Sequence, residues 1–106
     1  MDEISAPDAA QLLVDQPDQT ILLDVRELLE VDAAAVAGAL HLPMGEIPTR
    51  LNEIDKMKTI ICMCRSGGRS AQVADFLARQ GYAKVFNLTG GIHAWSDLVD
   101  SSIPKI

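Results

Sequence analysis

Cys64 is followed by Arg65-Ser66-Gly67-Gly68-Arg69-Ser70, which places two arginines and two glycines within six residues of a thiol. A free thiol, with a pKa of ~8.5, is a weak nucleophile at neutral pH, but helix N-termini and nearby cations lower such values to ~3.5–7.5. One pKa unit needs only ~1.4 kcal/mol of preferential interaction with the thiolate. Glycines allow a tight curve, and a helix that starts just after it brings backbone N–H groups and the positive end of its dipole to one point. The pattern therefore predicts an activated nucleophile at Cys64. A plain structural reading, with the cysteine as a small buried hydrophobe and the glycines as a turn, leaves the flanking arginines unexplained.

The spacing narrows the chemistry. Cysteine phosphatases typically carry an arginine six positions after the nucleophile, and here that position is Ser70. Arg69 comes one residue early, which predicts a smaller cradle and disfavours phosphate ester hydrolysis. The GxxxxGK[ST] nucleotide loop is absent. Cys62 could resolve a persulfide on Cys64, but its place in an apolar run predicts inert filling. A disulfide between thiols two residues apart would have poor geometry. His41 and His93 stand alone, without the partners of a zinc site, and are expected at the surface or in packing. Asp24 and Arg26 are expected to pair and hold loops together, and Trp95 and Phe86 to support the core.

The elements that must position this loop follow from periodicity. Thr59-Ile60-Ile61-Cys62-Met63 is nearly continuous in apolar residues, as in a strand covered on both faces of a parallel sheet. Further strands are predicted over 20–25, 38–42 and 84–88. Helices are predicted over 6–14, capped by Ser5, over 27–36, 46–54 and 69–80, with Gly81 as the C-terminal cap, and over 92–99 after the Gly90-Gly91 turn. The tail from Ser101 to Ile106 is expected to fray. Alternating strands and helices imply an α/β fold with an open parallel sheet and helices on both faces.

Bulk properties bound the function. The length of 106 residues suits one domain spanning 1–106, and 48% hydrophobic residues argue against disorder. A formal charge of −6, from 15 acidic and 9 basic residues, disfavours a nucleic-acid surface. The amino-terminal MDEISAPDAAQ has no basic or apolar targeting character, and no run approaches the ~20 residues of a membrane span. A soluble, cytoplasmic protein is expected, with no metal and no cofactor.

At the Cys64–Arg69 segment the sequence resembles the rhodanese family, whose loop often reads CRxGxR. Leu23-Asp24-Val25-Arg26-Glu27 resembles that family's LDVRE segment, Gly38-Ala39 with Leu42-Pro43 its GAxxxP turn, and Gly90-Gly91-Ile92-His93-Ala94-Trp95 its GGxxAW ending. One departure stands out: Ala34-Ala35-Val36 replaces the usual Gly-His-Ile, and the alanines predict a longer helix there. The resemblance implies a rhodanese-like three-layer sandwich with a five-stranded parallel sheet. It also implies sulfur transfer through a persulfide on Cys64, from a small anionic donor such as thiosulfate, or from a protein persulfide, to cyanide or a thiol. In that reading the backbone from Arg65 through Ser66, Gly67, Gly68 and Arg69 to Ser70 binds the sulfur anion, Arg65 meets the donor and Arg69 braces the loop. Asp24 and Arg26 are structural support. The alternatives are a non-catalytic interaction module of the same fold and an oxyanion reductase or phosphatase.

Overall fold

The structure is a computed structural model that describes residues 2–105. Its centre is strand β4 (Thr59–Met63), buried at every position as its unbroken apolar character requires. On one side β4 pairs in parallel with β2 (Thr20–Asp24), from Thr20 opposite Thr59 to Asp24 opposite Met63. On the other it pairs with β5 (Val85–Leu88). Strand β3 (Leu40–His41) extends the sheet beyond β2, and β1 (Asp2–Ile4) closes the far edge beside β5, giving the order β1-β5-β4-β2-β3 with every pairing parallel.

Side chains alternate across the sheet. Ile60 and Cys62 join the core under helix α3 (Gly68–Arg79), with Val73, Leu77, Ile47 and Tyr82. Ile61 and Met63 face the opposite core, built from α1 (Ala6–Asp15) and α4 (Gly91–Leu98), with Ala9, Ile92 and Trp95. Phe86 packs against this second core. The architecture is thus the α/β three-layer arrangement the sequence implied, and no described helix is long and apolar enough to cross a membrane.

Several boundaries differ from the sequence expectation. Strand β1 was not among the predicted strands: its three residues, Asp-Glu-Ile, are too short and too exposed to show a pattern, and only pairing with β5 defines it. Strand β3 is shorter than 38–42. The helix predicted over 46–54 is two 3₁₀ segments, Met44–Thr49 and Leu51–Glu53, because Pro48 inside the first lacks the N–H that an α-helix needs. Helix α2 runs only over Leu28–Ala33, and Ala34 is extended, so the alanines do not lengthen it. Gly81 does close α3, at φ +90°, with the Tyr82 N–H reaching back to the Leu77 carbonyl at 3.1 Å.

The tail is docked, not frayed, as far as it is described. Ile103 is buried against α4, its carbonyl accepts the Ser96 hydroxyl at 2.6 Å, and Lys105 pairs with Asp97. Ile106 lies outside the described residues. Ile103→Ala should therefore lower stability by about 2 kcal/mol, the low end for a buried aliphatic truncation. Urea unfolding checks this, and an unchanged midpoint would contradict a docked tail.

Candidate active site

Strand β4 delivers the chain at Met63, and Cys64 begins the turn into α3. The Cys64 side chain is 1% exposed, yet it is not lost in the core. The Gly67 N–H donates to Sγ at 3.1 Å, and the Ser70 hydroxyl lies 3.2 Å from it. Gly67 sits at φ +117°, a conformation open to glycine, and from there it caps α3.

The carbonyls of the turn face the other way. The Cys64 carbonyl accepts the Ile92 N–H at 2.9 Å and the Arg65 carbonyl accepts the His93 N–H at 3.2 Å, both in the first turn of α4. In a trans peptide the N–H points opposite to the C=O. Pinning the Arg65 carbonyl outward therefore turns the Ser66 N–H inward, toward the sulfur. Gly91 makes this possible: a Cβ there would lie 2.5 Å from both carbonyl oxygens.

Two effects compete at the thiol. Burial pushes the Cys64 pKa up, but the Ser70 hydroxyl and the amides of Ser70, Gly67 and Ser66 favour the thiolate, and the net result lies below the ordinary thiol value. Cys62 has no such donors, and burial, helped by the neighbouring Cys64 charge, pushes it up to about 12. The two cysteines belong to the same core cluster, and their surroundings push their thiols in opposite directions.

The other residues singled out by sequence occupy distinct places. Arg69 forks onto Glu30, at 2.6 and 2.8 Å, tying α3 to α2. The Arg69 fork holds the Glu30 carboxyl down at about 2 against the opposing effect of burial. Arg65 lines a cleft of about 350 Å³ beside the turn, with Arg26, Leu29, Glu30, Ala33 and Ile92. Gly68 opens α3 with free space around its Cα.

Asp24 and Arg26 form a buried pair. The guanidinium grips both carboxylate oxygens, at 3.0 Å to Oδ1 and 2.7 Å to Oδ2, and donates further to the carbonyls of Glu30 at 3.3 Å and Ala34 at 2.7 Å. These carbonyls explain the short α2. Arg26 needs Ala34 extended, and a desolvated guanidinium outweighs the helix propensity of the alanines. His41 is a packing residue here, since its Nε2 donates to the Arg26 carbonyl at 2.7 Å.

Against known proteins, a family model described as the rhodanese-like domain matches residues 5–98. The chain belongs to the rhodanese-like family. A protein of Allochromatium vinosum named a sulfurtransferase is 42% identical over 96 residues, covering 91% of this chain and 89% of that one. A thiosulfate sulfurtransferase of Tolumonas auensis is 37% identical over 92 residues, covering 87% and 85%. Among solved structures, a rhodanese-like domain protein from Staphylococcus aureus superimposes with a TM-score of 0.84 at 28% identity, over 100% of this chain and 99% of that one.

Within this rhodanese-like framework three contributors escaped the sequence reading. Asn87 on β5 is buried, with Oδ1 2.6 Å from the Ser70 hydroxyl. An amide amid Val-Phe-Asn-Leu was the available signal, since a buried polar side chain demands partners. Glu30 lies 39 residues from Arg69 and carried no local sign of that pairing. Gly91 was read as a tight turn, whereas its larger task is to admit two carbonyls.

Two measurements follow from this geometry. Gly91→Ala should slow alkylation of Cys64 at neutral pH by about tenfold, equal to one unit of lost thiolate stabilisation, as read by peptide mass mapping; an unaltered rate would show that α4 does not orient the turn. The Glu30 pKa falls from 4.5 to about 2 on folding, so its stabilising effect is complete above pH 4.5 and fades as pH drops toward 2. Urea midpoints of the wild type and Glu30→Gln should accordingly differ at pH 6 and converge at low pH, and a constant gap would contradict the Arg69 pairing.

Proposed function

We propose that this chain is a sulfurtransferase of one domain, residues 1–106, with Cys64 as the carrier of the transferred sulfur. The observation that carries the reading is the inward set of donors on Sγ, led by the Gly67 N–H at 3.1 Å, with the carbonyls of the turn drawn outward by α4. Such a ring favours a sulfur anion before and after sulfur is loaded, as an oxyanion hole favours a developing charge.

The Cys64 thiolate attacks the sulfane sulfur of thiosulfate or of a persulfide. A new S–S bond forms, the donor S–S bond breaks, and sulfite or a thiolate leaves with the electron pair. Cyanide or an acceptor thiolate then attacks the outer sulfur of the Cys64 persulfide. Thiocyanate or a new persulfide departs, and the Cys64 thiolate is restored. Each step is a two-electron displacement at sulfur in which the leaving group keeps its bonding pair, so the cycle calls for no redox cofactor. Arg65, on the wall of the cleft next to the turn, meets the anionic donor, and the apolar Leu29, Ala33 and Ile92 leave room for the carbon body of an acceptor.

A phosphatase or oxyanion reductase fits less well, because both terminal nitrogens of Arg69 are committed to Glu30. A purely non-catalytic module does not require a thiol whose pKa is held down by the amides of Ser66, Gly67 and Ser70. Incubation with thiosulfate should add one sulfur atom to the intact protein, visible by mass and removed by cyanide. Cys64→Ser should abolish the adduct and Cys62→Ser should keep it. Absence of any adduct under excess donor would sink the proposal.

A further inference from the structure

The Ser70 hydroxyl has one proton and two acceptors. Its oxygen lies 2.6 Å from Asn87 Oδ1 and 3.2 Å from Cys64 Sγ, and Ser70 is wholly buried. The Asn87 amide cannot turn to relieve the conflict. Its Nδ2 is held by the Gly67 carbonyl at 3.1 Å and by the Glu3 carboxylate at 3.0 and 3.3 Å, and both partners accept only. Oδ1 is therefore fixed toward Ser70.

A separation of 2.6 Å between two oxygens requires the proton between them. While Cys64 is a thiol, its S–H can donate to the Ser70 oxygen, and every group in the chain from Sγ through Ser70 to Asn87 is satisfied. When Cys64 is a thiolate, swinging the Ser70 proton to sulfur leaves two oxygens facing each other without a hydrogen. We infer that Asn87 is a positioning residue for the sulfur site: it competes with Cys64 for the single Ser70 proton and so limits how far that hydroxyl stabilises the sulfur anion. The amides of Ser66, Gly67 and Ser70 favour the anion, and Asn87 restrains it.

Other charges also face the site. Arg65 belongs to the turn itself, Arg69 stands on α3 with Glu30 and Glu27 behind it, Cys62 lies below on β4, and Glu3 reaches from β1 only as far as Nδ2 of Asn87. Arg69 is engaged by Glu30, and Glu3 by Asn87 Nδ2 and the Thr89 hydroxyl. Replacing Asn87 by leucine leaves the remaining groups with partners: the Gly67 carbonyl keeps the Ala71 N–H at 3.2 Å, and Glu3 keeps the Thr89 hydroxyl at 2.9 Å.

The inference rests on Cys64 being the reacting sulfur, as proposed above, and is tested by the pH profile of Cys64 alkylation with iodoacetamide, which needs no turnover. Asn87→Leu should lower the apparent Cys64 pKa by about one unit, the change expected when an anion gains one hydrogen bond. In a Ser70→Ala background the same substitution should produce no shift. A raised or unmoved pKa in the first case, or an equal shift in both, would overturn the inference. Should Asn87→Leu fail to fold, the wild type still decides: the Asn87 carboxamide carbon should titrate by NMR with the Cys64 midpoint and cease to do so in Ser70→Ala. A resonance that stays still through the Cys64 titration would equally overturn it. Persulfide formation from thiosulfate is measured in parallel, so that loss of sulfur transfer and loss of the Asn87 effect are read separately.

Discussion

The hydrogen bonds from the first turn of α4 to the carbonyls of Cys64 and Arg65 set the direction of the first two peptide groups after the sulfur-bearing residue. The turn from Cys64 to Gly67 could present its oxygens to the thiol as readily as its N–H groups, and oxygens would repel a thiolate. Two donors from a different part of the chain remove that choice. They can approach only because Gly91 has no Cβ, so the Gly-Gly pair belongs to the site although it lies some distance along the chain from Cys64. Two helix N-termini thus divide the work, with α3 facing the sulfur and α4 facing the carbonyls of Cys64 and Arg65.

The surrounding structure reinforces that arrangement without entering it. The Asp24–Arg26 pair fastens the end of β2 to the carbonyls of α2, and the Arg69–Glu30 pair fastens α2 to the start of α3. One pair is buried and the other half-exposed, which separates their energetics. The buried pair chiefly satisfies groups that would be costly if left alone, while the outer pair responds to acid. On the far side, Glu3 of β1 fixes Asn87, so an edge strand of three residues contributes to the orientation of an amide at the sulfur site.

Much of this was legible in the sequence. The apolar run ending at Met63, the glycines after Cys64 and the periodic face of α3 each reported a local necessity, and local necessities leave local patterns. Cys62 could be separated from Cys64 because one belongs to the run and the other to the turn. What stayed hidden were demands made across the fold. Ala34 looks helical by propensity, but its carbonyl is claimed by Arg26. Glu30 forms a capping box with Glu27, and nothing nearby in the sequence announces that its carboxylate also receives Arg69. Asn87 was visible as a polar residue in an apolar strand, but its partners come from two distant segments, β1 and the start of α3.

The alternation along β4 carries a consequence for how such a chain can change over generations. Cys62 and Cys64 share a face with Ile60, and Ile61 and Met63 take the other. Inserting or deleting a single residue within 59–63 would exchange the two sets and place residue 64 against the Trp95 side of the sheet, away from the turn of α3. Individual side chains here can drift in size and polarity, but the length of this strand can vary only in steps of two.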